Sequence, residues 1–136
     1  MASTDASPSP ARARPLSPHL GVYRWTITMA MSIAHRITGI GLYVGTILLA
    51  WYLIATSMDA AAFNVVSGFL NSIIGQIVLF GFTWALIHHA LGGVRHAIWD
   101  MGYGLDKPMR DYLALATLIG GVVLTIVVWI IGYAVR

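Results

Sequence analysis

Ala85–Asp100 reads ALIHHALGGVRHAIWD. It is mostly apolar, yet it holds three of the chain's five histidines, an arginine and two adjacent glycines. A helix is expected here. At 3.6 residues per turn, His89 and His96 share one face, with Gly93 one turn from His89 and Gly92 close beside it. An imidazole flanked by positions without side chains leaves room for a flat, bulky group against the backbone. Neutral imidazole is also a good axial ligand for haem iron. One reading is a haem pocket with His89 as ligand and His96 nearer its rim. The other is a set of polar residues where a helix leaves a membrane. Spacing alone does not decide between them.

Composition narrows the class. Of 136 residues, 58% are hydrophobic and only 10% charged, against about 25% charged in a soluble domain. The length predicts a single domain. The acidic residues are Asp5, Asp59, Asp100, Asp106 and Asp111, with no Glu. The absence of cysteine excludes thiol catalysis and iron–sulfur ligation within the chain. The basic residues form no run, so a nucleic-acid partner is not expected.

Residues 1–18 are small, polar and proline-rich, which predicts a flexible segment ahead of a membrane domain over 19–136. Arg12 and Arg14 are not followed by the apolar core of a secretory signal. Ile37–Ser57 and Val65–Ile87 are uncharged runs of 21 and 23 residues, and Tyr112–Val135 is a third apolar stretch. Each is long enough to cross about 30 Å of hydrocarbon. The expectation is all-α, with three transmembrane helices over about 29–57, 65–99 and 111–135. Met101–Arg110 is expected to be a polar loop. Arg12, Arg14, Arg24, Arg36, Arg95, Lys107 and Arg110 fall on one side and Arg136 alone on the other. That bias predicts an N-terminus in the cytoplasm or the mitochondrial matrix.

This topology brings His35 and Arg36, at the entry of the first span, to the depth of Arg95 and His96, at the exit of the second. The four form a candidate polar rim above His89, suited to the two propionates of a haem. The alternative is that they reach for lipid headgroups. A six-coordinate haem needs a second axial ligand. His88 lies about 100° round the helix from His89, and His19, His35 and His96 lie too near the surface. The second ligand is therefore expected from another membrane polypeptide. No charge lies in the middle of any span, which argues against an ion-coupled transporter.

Ser32-Ile33-Ala34-His35-Arg36-Ile37-Thr38-Gly39 resembles the S-x-x-H-R-x-[ST]-G motif of the cytochrome b556 subunits of succinate dehydrogenase, respiratory complex II. His89 to His96, with Asp100, resembles that family's H-x-x-x-G-x-R-H-x-x-x-D motif, and Arg14–Leu20 resembles its N-terminal lead. The resemblance covers roughly residues 14–136. It implies half of a heterodimeric helix bundle around one haem b, shared with a second small anchor subunit. Together these would hold an iron–sulfur subunit and a flavoprotein at a bacterial cytoplasmic or mitochondrial inner membrane. It implies His89 as the axial ligand to the haem iron, and His35, Arg36 and His96 at the propionates. It also implies Ser32 and Arg36 at the site of quinone reduction, with ubiquinone the expected quinone. Dicarboxylate chemistry would lie in another subunit. A quinol:fumarate reductase anchor and a cofactor-free membrane scaffold are the alternatives.

Overall fold

The structure, a computed structural model, describes residue 19 and residues 24–135. The expected flexible segment 1–18, most of the Arg14–Leu20 lead and Arg136 lie outside the described residues. Four helices follow in order: α1 (Ile27–Met58), α2 (Ala60–Asn71), α3 (Ile73–Asp100) and α4 (Lys107–Ala134). Three of them, α1, α3 and α4, are long and apolar enough to cross a membrane.

Short polar residues set the boundaries. Thr26 caps α1, its hydroxyl accepting from the Met29 N–H at 3.3 Å. Asp59 ends α1 and begins α2, its carboxylate accepting from the Ala62 N–H at 2.8 Å. Ser72 does the same between α2 and α3. Its backbone N–H and hydroxyl both donate to the Phe69 carbonyl, and its oxygen accepts from the Gly75 N–H at 3.1 Å. Side-chain oxygens at such positions satisfy amides that a helix start leaves bare.

Ser72 changes the expected second span. The uncharged run from Val65 is not one helix: Val65–Asn71 belongs to α2, and the long helix begins at Ile73. A Cβ on Gly75 would strike the Phe69 carbonyl, so the glycine is what lets the two helices meet so closely. The polar loop is also shorter than expected, because α4 starts at Lys107 with Pro108 in its first turn. Gly102 and Gly104 turn this loop at φ 83° and 69°, values that side chains disfavour. The Trp99 indole N–H ties the loop down by donating to the Gly104 carbonyl at 3.1 Å.

The distribution of side chains is that of a bundle in lipid. The large aliphatics Ile37, Ile40, Ile47, Ile119 and Ile130 are more than half exposed, while the interior is built on Ala55, Ala85, Ala114, Thr38, Thr117 and Thr125. Where both phases are apolar, helices associate through close packing of small residues. α3 is the central element, packing α1 on one side and α4 on the other.

Candidate functional site

His88 and His89 are neighbours on α3, and they face different helices. The His89 ring enters the α1 side. It stacks face to face on the His35 ring, with centroids 3.9 Å apart and planes 4° from parallel. Its Nδ1 lies 3.1 Å from the His35 backbone oxygen and 3.3 Å from the Thr38 hydroxyl. A carbonyl only accepts, so this contact requires the proton on Nδ1. The Thr38 hydroxyl directs its own hydrogen to the Ala34 or His35 carbonyl, at 2.9 and 3.0 Å, and accepts toward His89. The tautomer is thereby set, and the Nε2 lone pair is left without a hydrogen bond among the described residues. Such a contact on the distal nitrogen is what orients a metal-binding histidine.

Two glycines make this approach possible, one from each helix. A Cβ on Gly39 of α1 would lie 3.0 Å from His89 Cε1, and a Cβ on Gly92 of α3 would overlap the His35 ring. Each helix thus receives the other's histidine over a position with no side chain. Gly92 therefore does not leave room for a flat ligand, as its sequence position implied, because His35 occupies the space. Gly93 does: nothing lies within 4 Å of where its Cβ would be. One turn deeper, Gly41, Val44, Gly45, Gly81, Phe82 and Ala85 help line an apolar groove of about 240 Å³ between α1 and α3. A donor nitrogen with its tautomer fixed, an open glycine and an apolar groove fit a flat, largely apolar, metal-centred ligand.

The polar residues above His89 gather on the same side. The His96 ring lies 5.5 Å from that of His35 and 5.2 Å from Trp99, edge-on to the latter. Ser32 and Arg36, four apart on α1, are joined directly: the Arg36 Nη2 donates to the Ser32 oxygen at 3.2 Å. The Ser32 hydroxyl hydrogen remains available to another acceptor. His35 and His96 are therefore brought together with His89, while Ser32 and Arg36 are joined to each other on α1.

Arg95 is not part of this group. It is 3% exposed, turned into the seam between α3 and α4, with its guanidinium 5.2 Å from the Trp99 ring centroid. Arg95 leaves the expected four-residue rim, because Arg95 and His88 are seven apart and share the α4-facing side of α3. His88 is wholly buried there, stacked on Trp84 at 5.1 Å and 3.3 Å from the position of a Cβ on Gly121. Sequence pattern alone missed Gly39, Thr38 and the His35 carbonyl as the support of His89. The i, i+4 spacing of His35 and Gly39 was the signal for them.

Residues 10–128 match the model of a family described as the succinate dehydrogenase/fumarate reductase transmembrane subunit. The chain is 41% identical over 120 residues to the succinate dehydrogenase cytochrome b556 subunit of Paracoccus denitrificans, covering 88% of this chain and 92% of that one. It is 34% identical over 117 residues to the same subunit of Rickettsia felis, covering 86% and 91%. It is also 40% identical over 108 residues to the mitochondrial succinate dehydrogenase cytochrome b560 subunit of Sus scrofa, covering 78% of this chain and 64% of that one. The apolar helices, the histidine motifs and this likeness along nearly the whole chain lead to one assignment: it belongs to the succinate dehydrogenase/fumarate reductase transmembrane subunits, a membrane part of complex II and not its catalytic core.

Proposed function

We propose that this chain holds one haem b through His89 Nε2 and anchors a flavoprotein and an iron–sulfur subunit at the membrane, lining the site where those subunits reduce ubiquinone. The observation that carries the reading is the His89 imidazole. Its Nδ1 faces two acceptors, its Nε2 makes no hydrogen bond among the described residues, and open space begins at Gly93. The names of the relatives, which specify cytochrome b556 and b560 subunits, agree with it. So does the lack of a second histidine able to ligate from the opposite side, which calls for a partner anchor subunit.

His35 and His96 would offer imidazole nitrogens, and Arg36 a guanidinium, to the propionates of a bound haem. Such charge-assisted contacts are stronger than neutral ones. A bound haem b would supply a one-electron relay. Quinone reduction consumes two electrons and two protons, so the quinone oxygens need donors within reach of water. Arg36 stabilises negative charge developing on a quinone oxygen. By donating to Ser32 it also turns the Ser32 hydroxyl hydrogen outward as a second donor. The direction is succinate oxidation, following the relatives' names.

Reduced-minus-oxidised spectroscopy of the purified complex tests the haem assignment. A sharp b-type alpha band at one haem per flavin is expected, and a complex without that band leaves a cofactor-free scaffold. The basic residues beside the first span and in the first turn of α4 orient the N-terminus toward the cytoplasm or matrix. A reporter fused after Arg136 that scores on the cytoplasmic side reverses this orientation.

A further inference from the structure

Six buried side-chain nitrogens make no hydrogen bond among the described residues: His35 Nδ1, His88 Nδ1 and Nε2, Arg95 Nε and Nη1, and Arg110 Nε. His35 Nδ1 belongs to the site above. The other five come from α3 and α4. His88 and Arg95 face α4, and Arg110 stands on the α4 face that also carries the buried Ala114, Thr117 and Gly121. Buried polar groups are almost always partnered, and an orphan calls for an unseen water, ion or ligand.

The imbalance is specific. Arginine offers only donors, so Arg95 asks for acceptors, and one of them must carry charge. Arg110 has the Asp111 carboxylate at 3.9 Å, the one ion pair among the described residues. Arg95 has no carboxylate in ion-pair reach among the described residues. Its stacking on Trp99 offsets only part of what is lost in removing a cation from water. The Thr117 hydroxyl donates to the Leu113 carbonyl at 2.8 Å and has no charge to offer.

Arg95 lines a cavity of about 120 Å³ together with Leu91, Val94, Ile98, Ala116 and Thr117. That is room for roughly four waters or one tetrahedral oxyanion. Its other walls are nearly all apolar, and Val94 on its edge is 58% exposed. Arg95 stands five residues before the end of α3 at Asp100. At 1.5 Å per residue this is about 7.5 Å below the helix end, near the boundary between headgroups and acyl chains.

We propose that the α3–α4 groove is a binding site for a phospholipid, whose phosphodiester is held by Arg95 and whose acyl chain runs down the wall of Leu91 and Ala116. A free phosphate would satisfy the cation equally well but would leave the apolar wall uncovered. The site is separate from the His89 group and does not depend on whether His89 carries haem.

The test is phospholipid per flavin in the detergent-purified complex, read by organic extraction and phosphorus assay. Wild-type complex should retain one tightly held phospholipid more than either Arg95→Gln or Ala116→Phe, with haem per flavin equal in all three. Arg95→Gln removes the charge, and Ala116→Phe fills the groove while keeping it. If Arg95→Gln does not assemble, Ala116→Phe decides alone. Equal lipid counts overturn the proposal. Phosphorus that stays in the aqueous phase identifies a free phosphate and overturns the lipid as occupant. A density map with only water, or a partner carboxylate, against Arg95 overturns it as well.

Discussion

The two sides of α3 have opposite characters although they start from adjacent histidines. Toward α1, His89 is half-buried with its Nδ1 bonded, and its ring meets a second imidazole. Toward α4, His88 is entirely buried, with neither nitrogen bonded. The first side commits one nitrogen and leaves the other without a hydrogen bond among the described residues. The second encloses its imidazole against Gly121 and Trp84, where nothing of cofactor size has access. A histidine's capacity as a ligand therefore follows from what holds its other nitrogen and what lies before the free one. Depth in the membrane is almost the same for both.

The largest expected effect separates these sides directly. His89→Ala should remove nearly all b-type haem from the assembled complex, since His88 cannot turn through about 100° to replace it. Haem retained in that variant, measured as pyridine haemochrome per flavin, would transfer the ligand role to another residue. Next come Arg36→Leu and Ser32→Ala, read as succinate:quinone activity against succinate oxidation by a soluble acceptor. Loss of a charged donor is worth about 1.5–3 kcal/mol and of a neutral one about 0.5–1.5 kcal/mol. Quinone activity should fall at least tenfold in the first and several-fold in the second, with the soluble-acceptor rate unchanged. Equal losses in both assays would point to failed assembly instead.

Two glycines sharpen the contrast on a smaller scale. Gly93→Leu should lower haem content by filling open space. Gly92→Ala should keep most of the haem but shift its spectrum, because the new methyl displaces the His35 ring that backs His89. If the two variants behave alike, Gly92 also faces the haem. The smallest effect belongs to His88→Ala, which should leave the alpha band in place and lower thermal stability modestly. The lost packing against Gly121 is offset in part by removing two unbonded nitrogens. Loss of haem there, with stability intact, would break the comparison outright.

The three spans were legible because uncharged runs of such length have few other uses, and the place of His89 followed from helical periodicity. The break at Ser72 was not legible. Val65–Ile87 carries no charge to mark it, and Asn71-Ser72 reads as two ordinary polar residues until a capping hydroxyl is seen between two helices. Arg95 misled for a physical reason. A basic residue directly before His96 was expected beside it on the rim, yet the seam with α4, where Ala116 and Thr117 line a space with it, takes Arg95 instead. Gly92 misled likewise: a missing side chain marks close approach without saying which group makes it.

The crossed exchange of His35 over Gly92 and His89 over Gly39 also acts on the bilayer as a whole. Sliding α1 along α3 by one turn, about 5.4 Å, would set both rings against ordinary side chains at once, so the two helices mate at a single register. The height of His89 above the midplane is then fixed by α1, not by the thickness of the surrounding lipid. In a thinner or thicker bilayer the bundle should answer mismatch by tilting as a unit. The distance between His89 and the N-terminal end of α1, and with it the spacing of any electron relay proposed there, is then held constant across membranes of different composition.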